Sequence, residues 1–243
     1  MNSPILHSLT PDIETASDDY ARRFSGPVGK WFLQVQENAT LAMLQDFQNA
    51  TVLDAGGGHA QLIPGLLSKN HRVTVSGSAP ECRHRILAEL EQGLVQFQIG
   101  LLTALPFQDQ SFDVSMSFRQ LPHLDDWQGL IAQLCRVARK SVIVDFPVLR
   151  SVNFFSDRLF SLKKNIEKNT RFYTLFWESQ ILEAFEKNGF RLHSKHPEFL
   201  LPMALHRFLK NKRLSSLSET LFRKCGLTSV FGSPLICRFD RQK

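Results

Sequence analysis

A chain of 243 residues with 43% apolar content is long enough to bury one full core. No apolar run approaches the roughly 18 residues that span a bilayer, and the N-terminus MNSPILHSLTPDIETASDDY has no basic stretch followed by an apolar core, so a cytoplasmic protein is expected. Cys82, Cys135, Cys225 and Cys237 form no C-x-x-C pair and meet no matching His pair, which argues against a disulfide framework and a metal site and for reduced, buried thiols. The net charge of +6 is unevenly placed: Arg191 to Lys243 holds eleven Lys and Arg against Glu198, Glu219 and Asp240.

Residues 1–16 mix Ser, Thr, Pro and Asp without periodicity and read as a loose lead-in. Ser17, Asp18 and Asp19 then offer capping oxygens and early negative charge. Phe24, Val28, Trp31, Phe32, Val35, Ala39, Ala42 and Met43 recur at spacings of three and four, which predicts helix broken near Gly26-Pro27. Residues 1–45 are thus a helical lead-in to one domain covering 46–243.

Five apolar runs follow, at Thr51–Ala55, Val73–Ser76, Val95–Ile99, Phe112–Phe118 and Ser141–Phe146, with helical patterns at Gln61–Lys69, Pro80–Leu90 and Trp127–Ala138 between them. A further helix is expected at Glu178–Asn188, and two more strands at Phe190–Lys195 and Pro234–Phe239. The alternation predicts an α/β fold: a Rossmann-like three-layer sandwich whose mostly parallel seven-stranded sheet carries helices on both faces.

In such sheets the ligand sits beyond the carboxyl ends of the strands, where strand order reverses. Asp54-Ala55-Gly56-Gly57-Gly58 lies at the end of the first strand, and bare glycines let a ligand approach the backbone. A dinucleotide fingerprint would need Gly where Gln61 stands, and no phosphate-loop lysine follows.

The D-x-G-x-G-x-A pattern of Asp54, Gly56, Gly58 and Ala60 resembles the class I S-adenosylmethionine-dependent methyltransferases, in particular their type 11 domain. LPFQDQSFDVSMSFRQLPHLDDW (Leu105 to Trp127) and RFYTLFWESQILEAFEKNGF (Arg171 to Phe190) are similar to that family's middle and late segments. The resemblance covers roughly residues 45–195. It implies S-adenosylmethionine as cofactor, with Asp54 near the methionine amino group, Gly56, Gly57 and Gly58 beneath it, and Phe118 to Leu121 as a wall behind it. The family's ribose-binding acid falls on Gly77, flanked by Ser76 and Ser78, and its adenine-binding acid on Leu101. Ser76, Ser78, Glu81 and the backbone at Leu101 and Leu102 are the available substitutes.

Methyl transfer needs alignment of the nucleophile and a base only where a proton must leave. His123 matches a position bordering the transfer site and is the candidate base; the other reading is a structural histidine held by a neighbouring carbonyl or by Asp125. His59 could contact the cofactor carboxylate or be an exposed loop residue, and Arg119 could meet an acidic substrate or Asp126. Tyr173 reads as packing in a core or lid.

Two insertions carry the substrate clues. One, at about 150–177, places Phe154, Phe155, Leu159, Phe160 and Leu162 beside Lys163, Lys164 and Lys168; the other, a basic helical insertion at about 199–230, repeats the theme. Apolar surface bordered by cations suits a small-molecule or amphiphilic, lipid-like acceptor and contact with an anionic membrane surface. The blander reading is a core with a solvated charged face. No aromatic-basic motif supports nucleic acid. The expectation is therefore a methyltransferase, with a binding or scaffold protein of the same fold as the alternative set by Gly77 and Leu101.

Overall fold

The computed structural model describes residues 9–151 and 173–242. Among the described residues the lead-in holds α1 (Pro11–Thr15), α2 (Asp18–Arg22) and the long α3 (Gly26–Met43). Ser17 caps α2 by accepting the Tyr20 amide at 3.2 Å, and Pro27 sits in the first turn of α3, where a missing N–H costs nothing. The loose lead-in expected for residues 1–16 is overturned over 11–16. Asp12, Thr15 and Ala16 are buried.

The sheet contains β1 (Thr51–Ala55), β2 (Arg72–Gly77), β3 (Val95–Ile99), β4 (Phe112–Ser117), β5 (Ala138–Phe146), β6 (Phe190–Phe199) and β7 (Ser233–Arg241). Their order is β3-β2-β1-β4-β5-β7-β6. Strands β1 to β5 pair in parallel, and β7 runs antiparallel to both β5 and β6. Helices α4 (Ile63–Ser68), α5 (Leu87–Glu91), α6 (Trp127–Val137) and α7 (Glu178–Lys187) cover the faces. The expected helix at Pro80–Leu90 is instead a 3-10 stretch, Pro80–Ile86, followed by α5, because only Cys82 and Ile86 of that stretch are buried, too narrow a stripe to hold a full helix. Three more helices lie between β6 and β7: α8 (Met203–Leu209), α9 (Lys212–Lys224) and α10 (Leu227–Phe231).

Side chains alternate across the sheet, so the central strands feed two cores. Leu53 packs with Leu130, Leu134, Phe185 and Phe239 on one side, whereas Val52 packs with Met43, Leu62, Leu66 and Ile143 on the other. A third cluster of Tyr20, Phe24, Val28, Phe32 and Phe199 ties the lead-in helices to the end of β6. Cys82, Cys135 and Cys237 are buried as expected; Cys225 is exposed just past α9, where the helix ends without a covering layer. Strand order reverses between β1 and β4, so the crevice above their carboxyl ends is where this topology places a ligand.

Candidate functional site

The glycine loop leaves β1 into that crevice. Gly56 has φ +76°, and a Cβ there would lie 2.9 Å from the Gln120 side chain, so glycine alone fits without strain. Asp54 lies one residue before the end of β1, buried between β2 and β4, and among the described residues its carboxylate accepts no hydrogen bond. Burial pushes its pKa up to about 7, against the opposing pull of the Arg119 guanidinium. Phe118 and Gln120 are buried after β4, and Gln120 Nε2 donates to the Gly56 carbonyl at 3.2 Å. His59 is no exposed loop residue. It lies edge-on to Tyr20 and Phe24, and burial, followed by the charges of Arg119 and Arg85, holds its pKa down at about 3.

Helix α1 lies across this crevice. Ser78 donates to Asp12 twice, from its amide to Oδ2 and from its hydroxyl to Oδ1, each at 2.6 Å, and Cys82 Sγ approaches Oδ2 at 3.4 Å. Thr15 Oγ1 accepts from Gln120 Nε2 at 2.9 Å, and a Cβ on Gly58 would lie 2.8 Å from the Ala16 methyl. The space left beside Thr15, Asp54, Gly56, Gly57 and Phe118 is only about 10 Å³. Buried polar atoms remain without partners around it, Ser76 Oγ and Gln120 Oε1 among them. That donor and acceptor set fits a ligand with hydroxyl and amino groups, while the volume is taken by the chain's own N-terminal segment.

The substitutes expected for the absent ribose acid divide accordingly. Ser78 is engaged by Asp12, and Glu81 is exposed. At Gly77 a Cβ would collide with Cys82 Cβ, so an acid is not only absent there but excluded. Leu101 is 45% exposed, whereas Leu102 is fully buried in the core. Gly77→Asp is therefore expected to lower the thermal midpoint markedly, by a destabilisation of about 2–3 kcal/mol or more, while Leu101→Asp leaves it nearly unchanged; thermal unfolding of the two variants checks this.

A larger cavity of about 350 Å³ opens beside α2, α3 and the ends of β4, β5 and β6. Aromatic residues Tyr20, Phe24, Phe32 and Tyr173 line it together with Arg119, His123, Asp145, Glu198 and Arg207. His123 and Tyr173 meet here, ring centroids 5.4 Å apart. Arg119 turns away from Asp126, which instead caps α6 by accepting the Gly129 amide at 2.9 Å. With φ +62°, Arg119 donates from its amide to Asp145 Oδ1 and from Nη2 to Gln36 Oε1 at 2.7 Å, and its guanidinium lies 4.4 Å from the Phe24 ring centre.

Asp145 and Glu198 were not singled out from the sequence. Burial raises Asp145 to about 6, and burial together with the Asp145 charge raises Glu198 to about 8. Glu198 Oε1 and Arg119 Nη1 are buried without hydrogen-bond partners. A lone carboxylate inside the apolar run VIVDF was a readable signal for Asp145; Glu198, in HPEFLLP, carried none.

Residues 53–144 match the family model described as a methyltransferase domain. This segment is thus similar to methyltransferase domains. No curated protein matches the chain. Among solved structures, magnesium protoporphyrin IX methyltransferase from Synechocystis PCC 6803 with bound SAH is similar over 93% of this chain and 94% of its own, at 16% identity and TM-score 0.66. The 1,6-didemethyltoxoflavin-N1-methyltransferase of Burkholderia thailandensis, bound to 1,6-didemethyltoxoflavin and S-adenosylhomocysteine, covers 100% of this chain and 92% of its own, at 15% identity and TM-score 0.61. The cyclase SpnF is similar at 14% identity and TM-score 0.57, over 85% of this chain and 80% of its own. The fold expected from the strand alternation is borne out, the family match falls on the segment that carries the glycine loop, and two of these neighbours hold S-adenosylhomocysteine.

Proposed function

We propose that the protein transfers a methyl group from S-adenosylmethionine to a small, lipid-like acceptor held in the aromatic cavity beside β4, β5 and β6. The observation that carries this is adjacency. Arg119 borders both the glycine-loop crevice and the 350 Å³ cavity, so a ligand in one faces a ligand in the other. Asp54, Gly56, Gly57 and Gly58 would hold the methionine end, Ser76 and the Gly77 backbone the ribose, Leu101 and Leu102 the adenine edge, and Phe118 the face behind it. When bound, the cofactor supplies an activated methyl group. Tyr20, Phe24, Phe32 and Tyr173 would orient an apolar acceptor and exclude water. A proton released by an acceptor O–H or N–H has two receivers: His123 on the exposed side of the cavity and Glu198 Oε1 in its buried wall. The apolar and cationic residues of the 150–177 insertion from Phe154 to Lys168 lie outside the described residues.

Calorimetric titration with S-adenosylhomocysteine tests the reading, with Gly56→Arg as the blocked control. Micromolar binding abolished in the control is expected; no binding up to millimolar ligand overturns it. A second reading, a binding protein of the same fold without turnover, is favoured by one observation, the seating of α1 in the cofactor crevice. Methyl transfer to any acceptor would exclude it.

A further inference from the structure

Helix α9 is inside out. Its buried face is polar: Ser215 and Glu219 point inward, and Glu219 accepts from the Leu200 amide (2.8 Å), the Leu201 amide (2.9 Å) and His206 Nε2 (3.0 Å). Its outward face is apolar, with Leu214, Leu217 and Leu221 exposed by 52%, 68% and 59%. These positions follow the spacing of three and four that places side chains on one side of a helix. Phe208 on α8, 81% exposed, and Val230 and Phe231 on α10, also exposed, sit on the two helices that contact α9.

The patch is framed by cations. From Met203 to Phe231, Lys210, Lys212, Arg213 and Lys224 are exposed, while Arg207 turns onto the Phe24 and Phe32 rings and Arg223 donates to the Pro197 and Glu198 carbonyls; the one acid of the stretch is the inward-facing Glu219. The hydroxyls of α9 offer no recognition surface, because Ser216, Ser218 and Thr220 donate to the carbonyls of Arg213, Ser215 and Ser216 within their own helix. What faces outward is leucine, phenylalanine and positive charge. A second copy of the same face would bring like charges together, which disfavours self-association. An anionic bilayer supplies both complements, acyl chains for the leucines and headgroups for the cations.

We infer that α8, α9 and α10 form a docking face for anionic membrane surfaces. This goes beyond the methyl-transfer reading and stands without it. The two meet at α8, where Met203 and Arg207 line the aromatic cavity and Phe208 lies in the docking face, so an acceptor dissolved in the bilayer would enter the cavity along this helix.

The test is co-sedimentation of the full chain with phosphatidylcholine vesicles, with and without about 30 mol% phosphatidylglycerol. Two variants accompany the wild type: Leu217→Ser with Leu221→Ser, and Lys210→Glu with Arg213→Glu and Lys224→Glu. All five positions are exposed, and unchanged thermal midpoints show that the fold is kept. Binding to the anionic vesicles, weakened about tenfold or more in both variants and on neutral lipid, is the expected result. Equal sedimentation of wild type and variants overturns the inference, as does absence of binding to anionic vesicles. So does a dimer in size-exclusion chromatography that the leucine variant dissolves.

Discussion

Asp12→Ala is expected to tighten S-adenosylhomocysteine binding by about tenfold to a hundredfold over wild type. The Asp12 carboxylate holds the Ser78 amide and hydroxyl at 2.6 Å each, just past the end of β2, where the proposed function puts the ribose. Only about 10 Å³ remains at the glycine loop. Ligand entry must therefore break this latch first, and apparent affinity is reduced by the fraction of molecules in which it is open. A charge-assisted hydrogen bond contributes about 1.5–3 kcal/mol, and water regains part of that for an opened segment, which leaves roughly 1.4–2.8 kcal/mol, or ten- to a hundredfold. Calorimetry on the two proteins measures the difference. Hydrogen exchange supplies a second readout: amides between Ala16 and Tyr20 are expected to exchange faster when ligand saturates the wild type. Weaker binding by Asp12→Ala, with slower exchange in the wild type, would mean that Asp12 grips the ligand instead of excluding it.

Glu198→Gln is expected to stabilise the protein increasingly as pH rises from about 4.5 to 8. The sign follows from linkage. Glu198 is raised from 4.5 to about 8 in the fold, so between those values the folded state keeps a proton that the unfolded chain has lost, and stability falls as pH rises. At about 1.4 kcal/mol per pKa unit the wild type forgoes on the order of 5 kcal/mol above pH 8, whereas glutamine forgoes none of it. Below pH 4.5 the difference vanishes. Urea midpoints at acid, neutral and alkaline pH check the slope; parallel curves for the two proteins would show that folding leaves Glu198 at its ordinary carboxylate pKa. If Glu198 Oε1 receives the acceptor's proton, methyl transfer by the wild type should also rise toward pH 8, and Glu198→Gln should lose that rise. Persistence of the rise in Glu198→Gln and its loss in His123→Ala would assign the proton to His123.

The frame of the fold was legible because burial on both faces writes itself as apolar runs. Thr51–Ala55, buried on both faces, appears in the sheet with the boundaries expected, as does the edge strand Val95–Ile99, where only Val95 is buried, and the glycines follow β1 as its topology requires. What could not be read were contacts whose partners lie far apart. Asp12 meets Ser78 across 66 residues, and nothing in PDIET marks that carboxylate as buried. Asp145 and Glu198 become one site only when β5, β7 and β6 stand side by side. The leucines of α9 show the opposite failure: their spacing reads as a core face, but Glu219 satisfies two backbone amides and His206 inside, which turns the leucines out. Periodicity marks a face; the hydrogen-bonding needs of the neighbouring loop decided which way it points.

The last strand of the chain, β7, is the sixth in the sheet, and it alone joins β6 to β5. During synthesis, β1 to β5 can assemble as soon as they leave the ribosome, but β6 has no place in the sheet until β7 has been made. Glu198 and the β6 wall of the aromatic cavity must wait with it. The nascent protein thus carries its glycine loop early and completes the wall of the aromatic cavity late, and loss of the nine residues of β7 would detach β6 from the sheet and strip Leu235, Ile236, Cys237 and Phe239 from the two main cores.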